Sequence, residues 1–73
     1  MSFPKATNIL RGAVRREGYT DTRFSRATGI PMATLQYRYR NPGTWRVYEI
    51  GTILRLVDFN ESELKGMKEA LLS

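Results

Sequence analysis

The sequence predicts an all-α domain, a compact bundle of about five short helices. Three observations carry that expectation. Apolar residues recur at helical spacing in segment after segment. No stretch sustains the alternation of a strand. Turn signals at Gly18, Gly29, Asn41-Pro42-Gly43 and Asn60 cut the chain into helix-sized pieces. No linker or internal repeat divides the 73 residues, so 1–73 is expected to form one domain around one small core.

The first helix is expected over 8–17, with Thr7 as its N-cap and Gly18 as its stop. Ile9, Leu10, Ala13 and Val14 face inward, and Gly12 admits the close approach of another helix. Tyr19 then closes over the core. Thr20 caps a second helix that runs to about Thr28, with Asp21 favourable in its first turn. A tight turn at Gly29-Ile30 leads to a third helix over 31–40, because Pro31 suits a first turn whose N–H groups are unpaired anyway. Phe24, Ala27, Ile30 and Leu35 are spaced to pack these two helices together. Thr44 caps a fourth helix over 45–57, buried through Val47, Ile50, Ile53, Leu54 and Val57. Trp45 reads as core. Asn60 with Glu63 resembles a capping box opening a fifth helix, whose apolar stripe is Leu64, Met67, Leu71 and Leu72.

Charge is unevenly spread. The net charge is +5, but residues 1–48 hold nine basic against two acidic residues, a net of +7, and 49–73 hold three against five, a net of −2. Eight of the nine bases are arginines, which suit forked contacts to phosphate and guanine. A solvated basic surface without a partner is the plainer alternative. Histidine and cysteine are both absent, the carboxylates are scattered, and the six glycines are isolated. Ser25 reads as a small packing residue rather than a nucleophile. Neither catalysis, nor a metal, nor a cofactor, nor a small-molecule substrate is expected. No apolar run approaches the ~20 residues of a membrane span, and MSFPKATNILRG holds no signal-peptide core. A soluble, intracellular protein is expected.

Within the third helix, Ala33, Gln36, Tyr37 and Arg40 fall at i, i+3, i+4 and i+7 and make one face. On a basic chain, such a face on the second of two helices joined by a tight turn suits the major groove of double-stranded DNA. Tyr37 and Tyr39 point to different sides, with Tyr37 expected outward and Tyr39 partly packed.

These residues resemble the lambda-repressor-like helix-turn-helix family, which includes the small Cro-type regulators of bacteriophages. The likeness extends over nearly the whole chain. It rests on Ser25 as the small residue of the first motif helix, Gly29 and Ile30 at the turn, Leu35 inside the second motif helix, and LRLVDFNESEL at Leu54–Leu64. Thr28 and Arg38 depart from it, because the family usually has aliphatic residues there. Thr28 can bond back to a carbonyl. For Arg38 two arrangements stay open: its stem lies over the core with its head on a phosphate, or the helix is rotated so that Tyr39 fills the space.

The resemblance implies a repressor of phage or prophage type acting in the cytoplasm of a bacterial host. Met32, Ala33, Thr34, Gln36, Tyr37 and Arg40 would reach bases, with Met32 equally readable as a core gap-filler. Thr20, Arg23, Arg26, Arg38, Asn41, Thr44 and Arg46 would contact phosphate, helped by the N-termini of the second and fourth helices. A homodimer, at least on DNA, is expected. Its surface would be the acidic last helix with Leu71-Leu72-Ser73, unless Leu64, Met67 and Leu71 pack into their own core. A protein-binding module, such as an antitoxin or anti-repressor, is the alternative. RNA binding is a weaker third.

Overall fold

In a computed structural model, residues 3–72 are described, with side chains for 5–70. Among them there are five α-helices and no strand: α1 (Phe3–Arg16), α2 (Asp21–Thr28), α3 (Met32–Arg40), α4 (Val47–Leu56) and α5 (Glu61–Leu72), with a 3-10 turn at Pro42–Thr44. No helix in this range is long and apolar enough to cross a membrane.

Local chemistry accounts for most helix ends. α1 starts before the expected position, so Thr7 lies inside it. Its hydroxyl does not accept from a helix N-terminus as a cap would; it donates to the Tyr39 carbonyl on α3, at 2.7 Å. At the other end Gly18 takes φ +87°, and its N–H reaches the Arg15 carbonyl while that of Tyr19 reaches Val14. This is a Schellman closure, which needs a residue that tolerates the left-handed region. Thr20 caps α2 as expected, accepting from the Arg23 N–H at 3.2 Å, and Gly29 ends it at φ +75°. Thr28 bonds back to the Phe24 carbonyl at 2.8 Å. Pro31 sits one position earlier than expected, as the N-cap of α3.

α4 differs more. Thr44 is not its cap; the hydroxyl closes the 3-10 turn onto the Asn41 carbonyl at 2.6 Å. The helix begins at Val47, and the Glu49 carboxylate takes the Arg46 N–H at 2.8 Å. An arginine side chain has no acceptor, so this is the half of a capping box that Arg46 can support. The full reciprocal box forms at α5, between Asn60 and Glu63.

The core is Leu10, Ala13, Val14, Phe24, Ile30, Leu35, Tyr39, Ile53 and Val57, with Tyr19, Met32, Trp45, Leu56, Phe59 and Met67 packed against it. Tyr19 meets Phe24 edge-on at 5.4 Å, and Trp45 meets Tyr39 at 6.0 Å. Several expected core residues lie elsewhere. Ala27 is exposed, Ile9 is half-buried, and Val47, Ile50, Leu54 and Leu64 are exposed. Helical spacing marks a stripe as apolar, but only the neighbours decide how much of it is covered. α1 packs chiefly on α5, and α4 packs on α2. The outer half of the α4 stripe is therefore left largely open.

The glycines reverse one expectation. A Cβ at Gly12 would meet nothing, whereas one at Gly66 would come within 2.8 Å of Ile9 Cδ1. Gly66, not Gly12, is where α1 and α5 approach. Leu71, Leu72 and Ser73, expected at a dimer surface, lie outside the described side chains.

Candidate nucleic-acid interface

α2 and α3 are joined by the three residues Gly29 to Pro31. The turn is held from both sides. Ser25 donates its hydroxyl to the Ile30 carbonyl at 2.6 Å, and the Ile30 N–H donates to Thr28 Oγ1 at 3.2 Å. Ile30 and Leu35 are buried beneath it with Phe24. These anchors fix the rotation of α3 about its axis, so Ala33, Gln36, Tyr37 and Arg40 all face solvent, Tyr37 with 47 % of its surface exposed. Tyr39 is buried, which resolves the two tyrosines as expected. The remaining candidates on α3 sit deeper. Met32 packs on the core and Thr34 is half-buried.

Tyr39 fills core space, as one of the two arrangements left open by the sequence had it, and Arg38 turns its head towards α4 rather than outward to a phosphate. Its Nε–H donates to Glu49 Oε1 at 3.0 Å, and only 12 % of the side chain is exposed. Glu49 is itself 3 % exposed. The head is thus held inward by a buried carboxylate and is not available as a free phosphate contact. Its guanidinium carbon also lies 5.9 Å from the Tyr37 ring centroid, so the pair ties the exposed face of α3 to the start of α4. The sequence carries no capping-box signal at Glu49, because the N-cap residue is arginine and not Ser, Thr, Asp or Asn. Its role emerges only when α3 and α4 meet.

Around this face the arginines divide into two groups. Arg11 pairs with Asp21 at 3.2 Å and lies over the Tyr39 ring, and Arg16 pairs with Glu63 at 2.6 Å and donates to the Asp58 carbonyl. With Arg38, these are structural. Arg23, Arg26, Arg40 and Arg46 are exposed and form no ion pair among the described residues. Thr20 is exposed, and its oxygen serves the α2 cap. Asn41 is exposed and donates one amide hydrogen to the Tyr37 carbonyl at 3.1 Å, leaving the other free. Thr44 has its single hydroxyl hydrogen committed to Asn41, which removes it as a donor to phosphate.

Beneath the face, Arg11 Nε and the Tyr39 hydroxyl are buried without hydrogen-bond partners. Burial, with Asp21 nearby, pushes the Tyr39 hydroxyl up to about 12. Among the described residues no cluster of three or more acidic, His or Cys side chains could hold a metal ion. The chain has no significant match among protein-family models, curated proteins or solved structures.

Proposed function

We propose that this protein binds double-stranded DNA in a sequence-specific way and regulates transcription, with α3 in the major groove. The observation that carries the reading is a contrast in charge. Among the described residues Arg23, Arg26, Arg40 and Arg46, on α2, on α3 and at the start of α4, are exposed and form no ion pair, like Arg15 on α1, while Arg11, Arg16 and Arg38 each pair with a carboxylate. Unpaired arginines beside an exposed, side-chain-rich helix face suit a polyanion whose phosphates replace the missing carboxylates. Gln36 and Arg40 are the base-reading pair, matched to adenine and guanine edges, and Ala33 suits a thymine methyl. Arg23, Arg26, Arg46, Thr20 and Asn41 hold the backbone. Two copies on half-sites about one helical turn apart supply the information that one short helix lacks. A small phage or prophage repressor in a bacterial cytoplasm fits this reading.

A protein-binding module is the second reading, favoured by an open apolar cleft on the side of α4 and α5. Selection from a random duplex library separates the two. The DNA reading expects an enriched sequence and a steep loss of affinity with salt. Gln36→Ala and Arg40→Ala should each lower the specific-to-random preference by about 1–3 kcal/mol. Arg23→Ala should weaken both kinds of binding alike and flatten the salt slope. No enrichment, with salt-insensitive binding, refutes the DNA reading.

A further inference from the structure

The apolar cleft has a volume of about 240 Å³ and runs between α1, the 3-10 turn, α4 and α5. Pro42, Trp45, Ile53 and Met67 form its floor and walls, and Leu54 and Leu64 stand at its mouth, 53 % and 45 % exposed. It opens because α4 and α5 pack on other helices and hardly on each other. Two roughly half-exposed leucines thus flank an apolar hollow, a surface of the kind that takes a protein partner.

We propose that a second copy of this chain occupies this surface, making a two-fold dimer with the α5 helices antiparallel and Leu64 at the axis. The pattern on α5 identifies the occupant. Glu61, Leu64 and Lys68 lie at i, i+3 and i+7, so an acid, a leucine and a base share one face. Glu61 and Lys68 are exposed, and neither forms an ion pair among the described residues. A two-fold axis through Leu64 reverses the second helix and sets each Glu61 against the other copy's Lys68. Glu61 lies three residues before Leu64 and Lys68 four after it, so in the antiparallel pair each Lys68 falls within about 1.5 Å of the other copy's Glu61 along the helix axis. The face is therefore complementary to itself at its two Glu61–Lys68 pairs as well as in apolar character, with the exposed Lys65 at its edge, which is what an isologous contact requires. Exposed ion pairs contribute little, so burial of Leu54, Ile50 and Leu64 drives association and the charges set the register. The contact is small beside a standard interface of about 800 Å² per partner, and a Kd of about 1–100 µM is expected.

The dimer does not depend on DNA binding, so sedimentation of the protein alone tests it. Glu61→Lys puts like charges together at both pairs and should weaken self-association about tenfold; Lys68→Glu should do the same. An equimolar mixture of these two variants should form a heterodimer at wild-type strength, because each then meets its opposite. Leu64→Gln should also give a monomer, with unchanged helix content by circular dichroism showing that it folds. A wild-type chain that stays monomeric up to about a millimolar overturns the proposal. So does a dimer that the charge variants leave unchanged, or a mixture no tighter than its components.

Discussion

Removing Glu49 tests whether the α3–α4 junction is organised as described. Its carboxylate is 3 % exposed and receives two donors, Arg38 Nε at 3.0 Å and the Arg46 N–H at 2.8 Å. Glu49→Ala leaves the Arg38 head without a counter-charge in a site where 12 % of that side chain reaches solvent. Breaking such a pair from one side costs about 3–5 kcal/mol. The small remaining exposure lets the guanidinium turn partly outward, which argues for ~3 kcal/mol. The lost cap bond adds about 1 kcal/mol. A chain of this length is stable by roughly 4–11 kcal/mol, so a total near 4 kcal/mol removes a large part of it and lowers Tm by about 15–30 °C. Urea unfolding, followed by helix signal and by Trp45 fluorescence, measures the loss. Glu49→Gln keeps an acceptor for Arg46 and should fall between wild type and Ala. The decisive variant is Arg38→Met with Glu49→Leu. With both charges gone, no unpaired charge remains, and although the Arg46 N–H still lacks its acceptor, the double variant should recover about 2–3 kcal/mol over Glu49→Leu alone. If Arg38→Met instead costs the same in both backgrounds, the two side chains are independent and the coupling is wrong.

Three further outcomes concern Tyr39, Gly12 and Gly66. The Tyr39 hydroxyl is buried without a partner and held near 12, above its ordinary 10, so folding favours its neutral form. Its contribution is complete below pH 10 and lost as pH rises towards 12, by about 1–2 kcal/mol once solvent screening is allowed for. Tyr39→Phe should be neutral or stabilising by ~1 kcal/mol at pH 7 and should lose less stability than wild type between pH 9 and 11.5 in thermal melts, because no buried phenol remains to ionise. Gly12→Ala should stabilise by about 0.5–1 kcal/mol, since nothing lies within 4 Å of the added methyl. Gly66→Ala should gain less, because its methyl must displace Ile9 Cδ1 from 2.8 Å; equal gains from the two substitutions in urea titrations would disprove that packing.

Much of the fold was legible in the sequence because the deciding interactions there are short-range. The Thr20 cap, the left-handed Gly29, the Thr28 back-bond and the Asn60–Glu63 box each link residues no more than four apart. Periodicity then placed Ala33, Gln36, Tyr37 and Arg40 on one face, and all four are exposed. What the sequence alone could not decide depends on which helix meets which. α4 carries one apolar stripe, yet Ile53 and Val57 are buried while Leu54 is half open and Val47 is 90 % exposed, because α2 covers one side only. Arg38 reads as a surface cation until Glu49, eleven residues on, is folded beneath it. Thr7 reads as a cap until Tyr39, thirty-two residues on, offers its carbonyl. Spacing determines which side of a helix is apolar or charged; the placement of the neighbouring helices determines whether that side becomes core, ion pair or open surface.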